Sequence, residues 1–121
     1  MIICKLHLPL NDNNGVNVED TVHKLLKIDI LKAFNGCTII KAQGLWADNS
    51  IVFDEPVFIY EVAMWGAKYR TDQFVKIAHE YGAKAGQLAV YYSIDGKAFI
   101  DDIIPPFTVQ SRPSPNNPNV T

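Results

Sequence analysis

From Ile51 to Trp65 the chain forms one long run that is apolar on both parities, broken mainly by Asp54, Glu55, Pro56 and Glu61. Side chains alternate between the two faces of a strand, so Phe58, Tyr60, Val62 and Met64 face one side and Val57, Ile59 and Ala63 the other. A strand that is dry on both faces belongs in the middle of a structure. Upstream, Cys37–Ala42 is a second extended run, and Gly44 loosens it before Leu45 and Trp46. The polar turn Asp48-Asn49-Ser50 joins the two runs into a hairpin. Whatever else the chain does must supply cover for that hairpin.

The remaining segments provide it on one side. Ile2, Cys4, Leu6 and Leu8 alternate with less apolar neighbours as a strand that Pro9 ends. After the turn sequence Asn11-Asp12-Asn13-Asn14-Gly15, Asn17 is an N-cap candidate, with Glu19 and Asp20 at the positive end of a helix. Val18, Val22, Leu25, Leu26, Ile30, Ala33 and Phe34 carry that helix over 18–35, and Asn35-Gly36 closes it. Thr71 is the expected cap of a second helix over 71–82, with Phe74, Ile77, Ala78 and Tyr81 on one face and Gly82 at its end. Residues 87–94 form another strand, and Asp95-Gly96 turns it into a short fifth one, Lys97–Ile100. The order is β1 (2–8), α1 (18–35), β2 (37–47), β3 (51–65), α2 (71–82), β4 (87–94). This is an α+β, ferredoxin-like βαββαβ domain: an antiparallel sheet with two helices on one face. The other face is left for another subunit, so a homo-oligomer is expected.

Size and composition narrow the function. The 121 residues suffice for one domain with a real core, expected over 1–104. Five of the seven prolines lie in 105–121, which reads as an extended or disordered tail. The net charge of −2 and only two arginines, Arg70 and Arg112, argue against a nucleic-acid partner. No apolar run is long enough to span a membrane, and the N-terminus lacks the basic flank of a signal peptide. Cys4 and Cys37 read as buried free thiols of a reducing cytoplasm.

His7, His23 and His79 are scattered without ligand spacing, so no metal is expected, and no motif points to a cofactor or an activated nucleophile. Glu55 is the carboxylate that stands out. Pro56 holds it extended, and Val57 and Ile59 make its surroundings apolar, so a cationic ligand is a natural partner. Glu61 shares its parity and reads as a strand-end charge. Trp46, Phe53, Tyr60 and Trp65 bring aromatic surface to the hairpin, and Lys68, Tyr69 and Arg70 precede the second helix, where an anion could be received.

Gly44-Leu45-Trp46, the turn, Asp54-Glu55-Pro56-Val57, and then a helix and Gln87-Leu88-Ala89-Val90 resemble the small S-adenosylmethionine (SAM) lyases of bacteriophages. They equally resemble the related lyases that cleave the SAM-AMP conjugate in CRISPR-linked defence. The resemblance spans residues 37 to 92. It implies a trimer with sites at subunit interfaces, Glu55 as the catalytic glutamate and Gln87 as the glutamine that opens the last strand. Trp46, Phe53, Tyr60 and Arg70 would join Gln87 in binding substrate. The family's tyrosine ahead of the glutamate has no clean counterpart here, and Leu88 replaces an acidic residue.

In the implied reaction the substrate's own carboxylate displaces the thioether from the γ-carbon, giving 5′-methylthioadenosine and homoserine lactone. The small-molecule substrate would be SAM or its AMP conjugate, cleaved with no added cofactor. Two rival readings use the same residues: a non-catalytic sponge for a nucleotide signal, and an assembly module without a ligand.

Overall fold

The computed structural model describes residues 1–103. The expected tail over 105–121 lies outside the described residues. The strands are β1 (Ile2–Pro9), β2 (Thr38–Asp48), β3 (Ile51–Met64), β4 (Ala89–Ile94) and β5 (Lys97–Asp102), and the helices α1 (Lys24–Phe34) and α2 (Lys68–Lys84). They make a single antiparallel sheet in the order β2-β3-β1-β4-β5, with β3 beside the central β1. This is the expected α+β arrangement, and the fifth strand runs to Asp102 rather than Ile100.

Both helices lie on the face that carries the even-numbered residues of β3. Leu26, Ile30 and Phe34 from α1, with Phe74, Ala78 and Tyr81 from α2, pack on Cys4, Leu6, Leu8, Phe58, Tyr60, Val62 and Met64. Each large side chain removed from water there contributes about 1.5–3 kcal/mol. Cys4 and Cys37 are free thiols. Burial pushes Cys4 up to about 11, with the Asp95 charge adding to it.

Several element ends differ from expectation. The first helix opens with a π turn, Glu19–His23, before its α-helical part, and Asn17 Oδ1 accepts the Glu19 N–H at 2.9 Å. The second helix starts at Lys68, not Thr71. Lys68-Tyr69-Arg70 contains no helix breaker, and the Thr71 hydroxyl bonds back to the Lys68 carbonyl at 2.9 Å instead of capping. Gly82 lies inside this helix. A Cβ there would stand 3.1 Å from both Val90 and Ile103, so the glycine serves close packing on β4. Gly86, at φ +65°, takes the left-handed turn assigned to Gly82.

The hairpin extends beyond the body of the sheet. The last pair joining β1 to β3 is Pro9–Val57, whereas β2 and β3 stay paired out to Asp48–Ile51. Residues 43–56 therefore form an arm with no third strand beside it. Its register is unbroken from Thr38–Glu61 to the tip, so face assignments carry through the whole length.

Candidate functional site

Glu55 lies on that arm, directly opposite Gly44. Its parity places it on the sheet face that the helices leave open, together with Val57 and Ile59. Trp46 and Phe53 are the next cross-strand pair on the same face, their rings stacked at 4.4 Å between centroids and 17° between planes. The Trp46 indole N–H donates to Glu55 Oε2 at 3.2 Å. Asp54 points to the other face, where Gln43 donates to it. Farther along the open face, His7 stacks on Tyr91 at 4.3 Å, and Lys5 sits 3.8 Å from Glu61. Burial lowers the His7 pKa, and the Lys5 charge lowers it further.

Three other candidates lie elsewhere. Tyr60 is fully buried on the helix side, facing away from Glu55. It belongs to the even-numbered, core-facing set of β3, and proximity in sequence gave it the wrong neighbourhood. Its hydroxyl meets His23 Nδ1 at 2.6 Å, while His23 Nε2 meets the Pro9 carbonyl at 2.8 Å. A carbonyl only accepts, so Nε2 carries the proton and Tyr60 donates to Nδ1. Burial raises the Tyr60 pKa well above its usual value.

Arg70 stands at the start of α2, its guanidinium 5.5 Å from the centre of the Phe34 ring. Lys68 beside it is paired with Asp72 at 3.0 Å. That end of the sheet is separated from Glu55 by most of β3, about 30 Å at 3.3 Å per residue. Trp65, 72% exposed, also lies at the far end. Gln87 is at the right end but sits in the turn before β4. Its side-chain amide donates to the carbonyls of Asn11 and Ala85 at 2.8 and 3.1 Å. The neighbouring Leu10 N–H bonds the Pro56 carbonyl at 2.9 Å, which ties this turn to the base of the arm. Of the six residues, the structure groups Glu55, Trp46 and Phe53, holds Gln87 at the same end of the sheet, and separates Tyr60 and Arg70 from them.

Two solved structures share this architecture. One is described as a phage SAM lyase in complex with S-methyl-5′-thioadenosine, at 14% identity and a TM-score of 0.66. The other is a phage SAM lyase in the apo state, at 14% identity and a TM-score of 0.65. Each comparison covers 84% of this chain and 88% of the other. The fold is similar to that of the phage SAM lyases. No family model and no curated protein matches the chain.

Beyond Lys41 the arm itself carries charge of one sign. Between Lys41 and Lys68 the sequence carries Asp48, Asp54, Glu55 and Glu61 and no lysine or arginine. This surface favours a cation. Two shallow depressions, one between α1 and α2 and one at the far end around Phe34, Cys37 and Glu61, do not include Glu55. Glu55 with its aromatic pair is an open surface on one chain. Among the described residues there is no cluster of three or more His, Cys, Asp or Glu side chains that could hold a metal, nor a helix long and apolar enough to cross a membrane. Sequence reading missed the bond from Trp46 to Glu55. The signal was present, because a two-residue turn at Asn49-Ser50 sets Trp46 opposite Phe53 and one pair removed from Glu55.

Proposed function

We propose that this chain is a lyase of S-adenosylmethionine, acting at Glu55 on the open face of the hairpin arm. The observation that carries the reading is the constellation of a carboxylate and two stacked aromatics on an arm whose only charges are acidic, within a fold like that of the phage SAM lyases. The substrate has an ammonium and a sulfonium against one carboxylate, a net cation that an acidic hairpin attracts. An AMP conjugate adds a phosphate anion, so the hairpin favours free SAM over SAM-AMP.

The reaction needs only the substrate's own groups. A carboxylate oxygen bonds to the γ-carbon as the bond from that carbon to sulfur breaks. The bonding pair leaves on sulfur as the neutral thioether of 5′-methylthioadenosine, and homoserine lactone remains with its ammonium. Anion and sulfonium neutralise each other as the lactone forms, so a dry site that folds the chain back on itself accelerates the step. An enzyme carboxylate placed on the sulfonium would stabilise the ground state more than the transition state. Glu55 therefore pairs with the ammonium, and the open faces of Trp46 and Phe53 receive the sulfonium and the adenine. Closing such an open surface calls for a second copy of the chain, and a trimer built on the uncovered sheet face supplies it.

The test is to incubate the purified protein with SAM, and separately with SAM-AMP, and to follow products by mass spectrometry. Equal amounts of methylthioadenosine and homoserine lactone from SAM are expected. Ligand binding without turnover would replace this reading with the sponge, and neither binding nor turnover would leave an assembly module.

A further inference from the structure

We propose that Trp46 is a positioning residue: its indole N–H holds Oε2 of Glu55 and so presents Oε1 to the substrate's ammonium. This rests on the lyase reading of the site. A glutamate side chain on a strand surface has several free torsions, and ordering it costs conformational entropy. Three features of the arm provide that order before a ligand arrives. The indole N–H is a donor only, and at 3.2 Å it engages one oxygen of the carboxylate. The indole is held in turn by the Phe53 ring stacked across the ladder. Gly44, opposite Glu55, leaves the space that a side chain would take. A Cβ there would stand 3.1 Å from a Val57 methyl and 3.8 Å from Glu55 Cγ.

Among the described residues Glu55 accepts no other side-chain hydrogen bond, so its second oxygen is available. Phe53 covers one face of the indole only. The same residue can thus set the carboxylate with its edge and meet the ligand with its remaining face.

The experiment begins from Trp65→Phe, which leaves Trp46 as the sole tryptophan. In a ¹H–¹⁵N spectrum the single indole resonance should move with pH as the carboxylate titrates, and Glu55→Gln should abolish that movement. In kinetics, Trp46→Phe keeps an aromatic ring opposite Phe53 and removes the N–H. Its kcat should fall roughly tenfold with KM within about twofold, the pattern of lost orientation rather than lost binding. Trp46→Phe combined with Glu55→Gln should be no slower than Glu55→Gln alone, since both act through one carboxylate. An indole resonance insensitive to pH, or losses that multiply in the double variant, would overturn the assignment. A titrating resonance in a protein that turns over neither substrate would uphold the clamp and sink the lyase reading instead.

Discussion

Replacing Glu55 with glutamine keeps the side chain's size and its bond from Trp46 while removing the charge. A charge-assisted hydrogen bond to the substrate is worth about 1.5–3 kcal/mol. Turnover of SAM should accordingly fall by roughly ten- to two-hundred-fold. Glu61→Gln is the control. It shares the face but sits six residues along β3, beside Lys5, and its rate should stay within about twofold of wild type. Equal losses in the two variants would assign the effect to general acidity of the hairpin. A second test at this scale concerns His23, buried and neutral between Tyr60 and Pro9. Burial is the main force lowering its pKa. The Pro9 carbonyl opposes that shift, Lys27 adds to it and Glu19 opposes it. The unfolded chain, with an imidazole pKa of about 6.5, then binds more protons than the folded one between the two values. Stability is full above about pH 6.5 and declines as pH falls toward the folded pKa. His7 shifts in the same direction, so the test compares slopes. His23→Leu should flatten the loss of urea-unfolding stability between pH 7 and 5. It should also cost about 1–3 kcal/mol at pH 7 by orphaning the Tyr60 hydroxyl and the Pro9 carbonyl. Parallel pH slopes in variant and wild type would show that His23 is not the titrating group.

The hairpin arm was the most legible element and also the one whose consequences were hardest to read. Parity along β3 sorted its residues into two faces without telling which one the helices cover, and the turn residues identified the tip. Asn49 and Ser50 both take positive φ, 50° and 71°, the pairing that matches the twist of a two-residue hairpin. Serine is strained there and glycine is not. Ser50→Gly should therefore stabilise the protein by about 0.5–1 kcal/mol, read as a melting temperature a few degrees higher. An unchanged or lower melting temperature would mean that the tip is not held in this conformation. The site was only partly legible because parity decides which aromatics meet a carboxylate, and sequence proximity does not. Trp46 and Phe53 reach Glu55's face through the register of the turn. Tyr60, five residues after Glu55, is carried to the opposite face by the alternation of the strand itself. Arg70 was misplaced for a different reason: it follows β3 in sequence and so lies at the end of the sheet that the arm points away from. The helix ends escaped because caps were read from residue type alone. Gly82 was needed for contact with β4, and Gly86 supplied the turn.

At the scale of the whole molecule the two faces of the sheet are unequal. The helices cover one over the body of the sheet, while Ile39 and, on the arm, Leu45 and Val52 stay exposed on that side. The other presents Trp46, Phe53, Ile40, Tyr91 and Ile100, each more than a third exposed, with Ile100 at 74%. A contiguous apolar surface on a small domain is commonly an interaction surface, and the proposed site requires closure that one chain does not provide. The expected assembly is a trimer. Light scattering at micromolar concentration should give about three times the 13.5 kDa chain mass. Ile100 lies on β5, the sheet edge remote from the arm, so Ile100→Lys perturbs the face without touching Glu55, Trp46 or Phe53. If the open face is the interface, that variant should dissociate toward monomers and lose turnover together, because the site opens to water as the subunits part. Raising the protein concentration should restore both in step, since association follows mass action. A wild-type monomer that is fully active would remove the interfacial site. A variant that stays trimeric with an intact rate would move the interface off β5 and toward the arm.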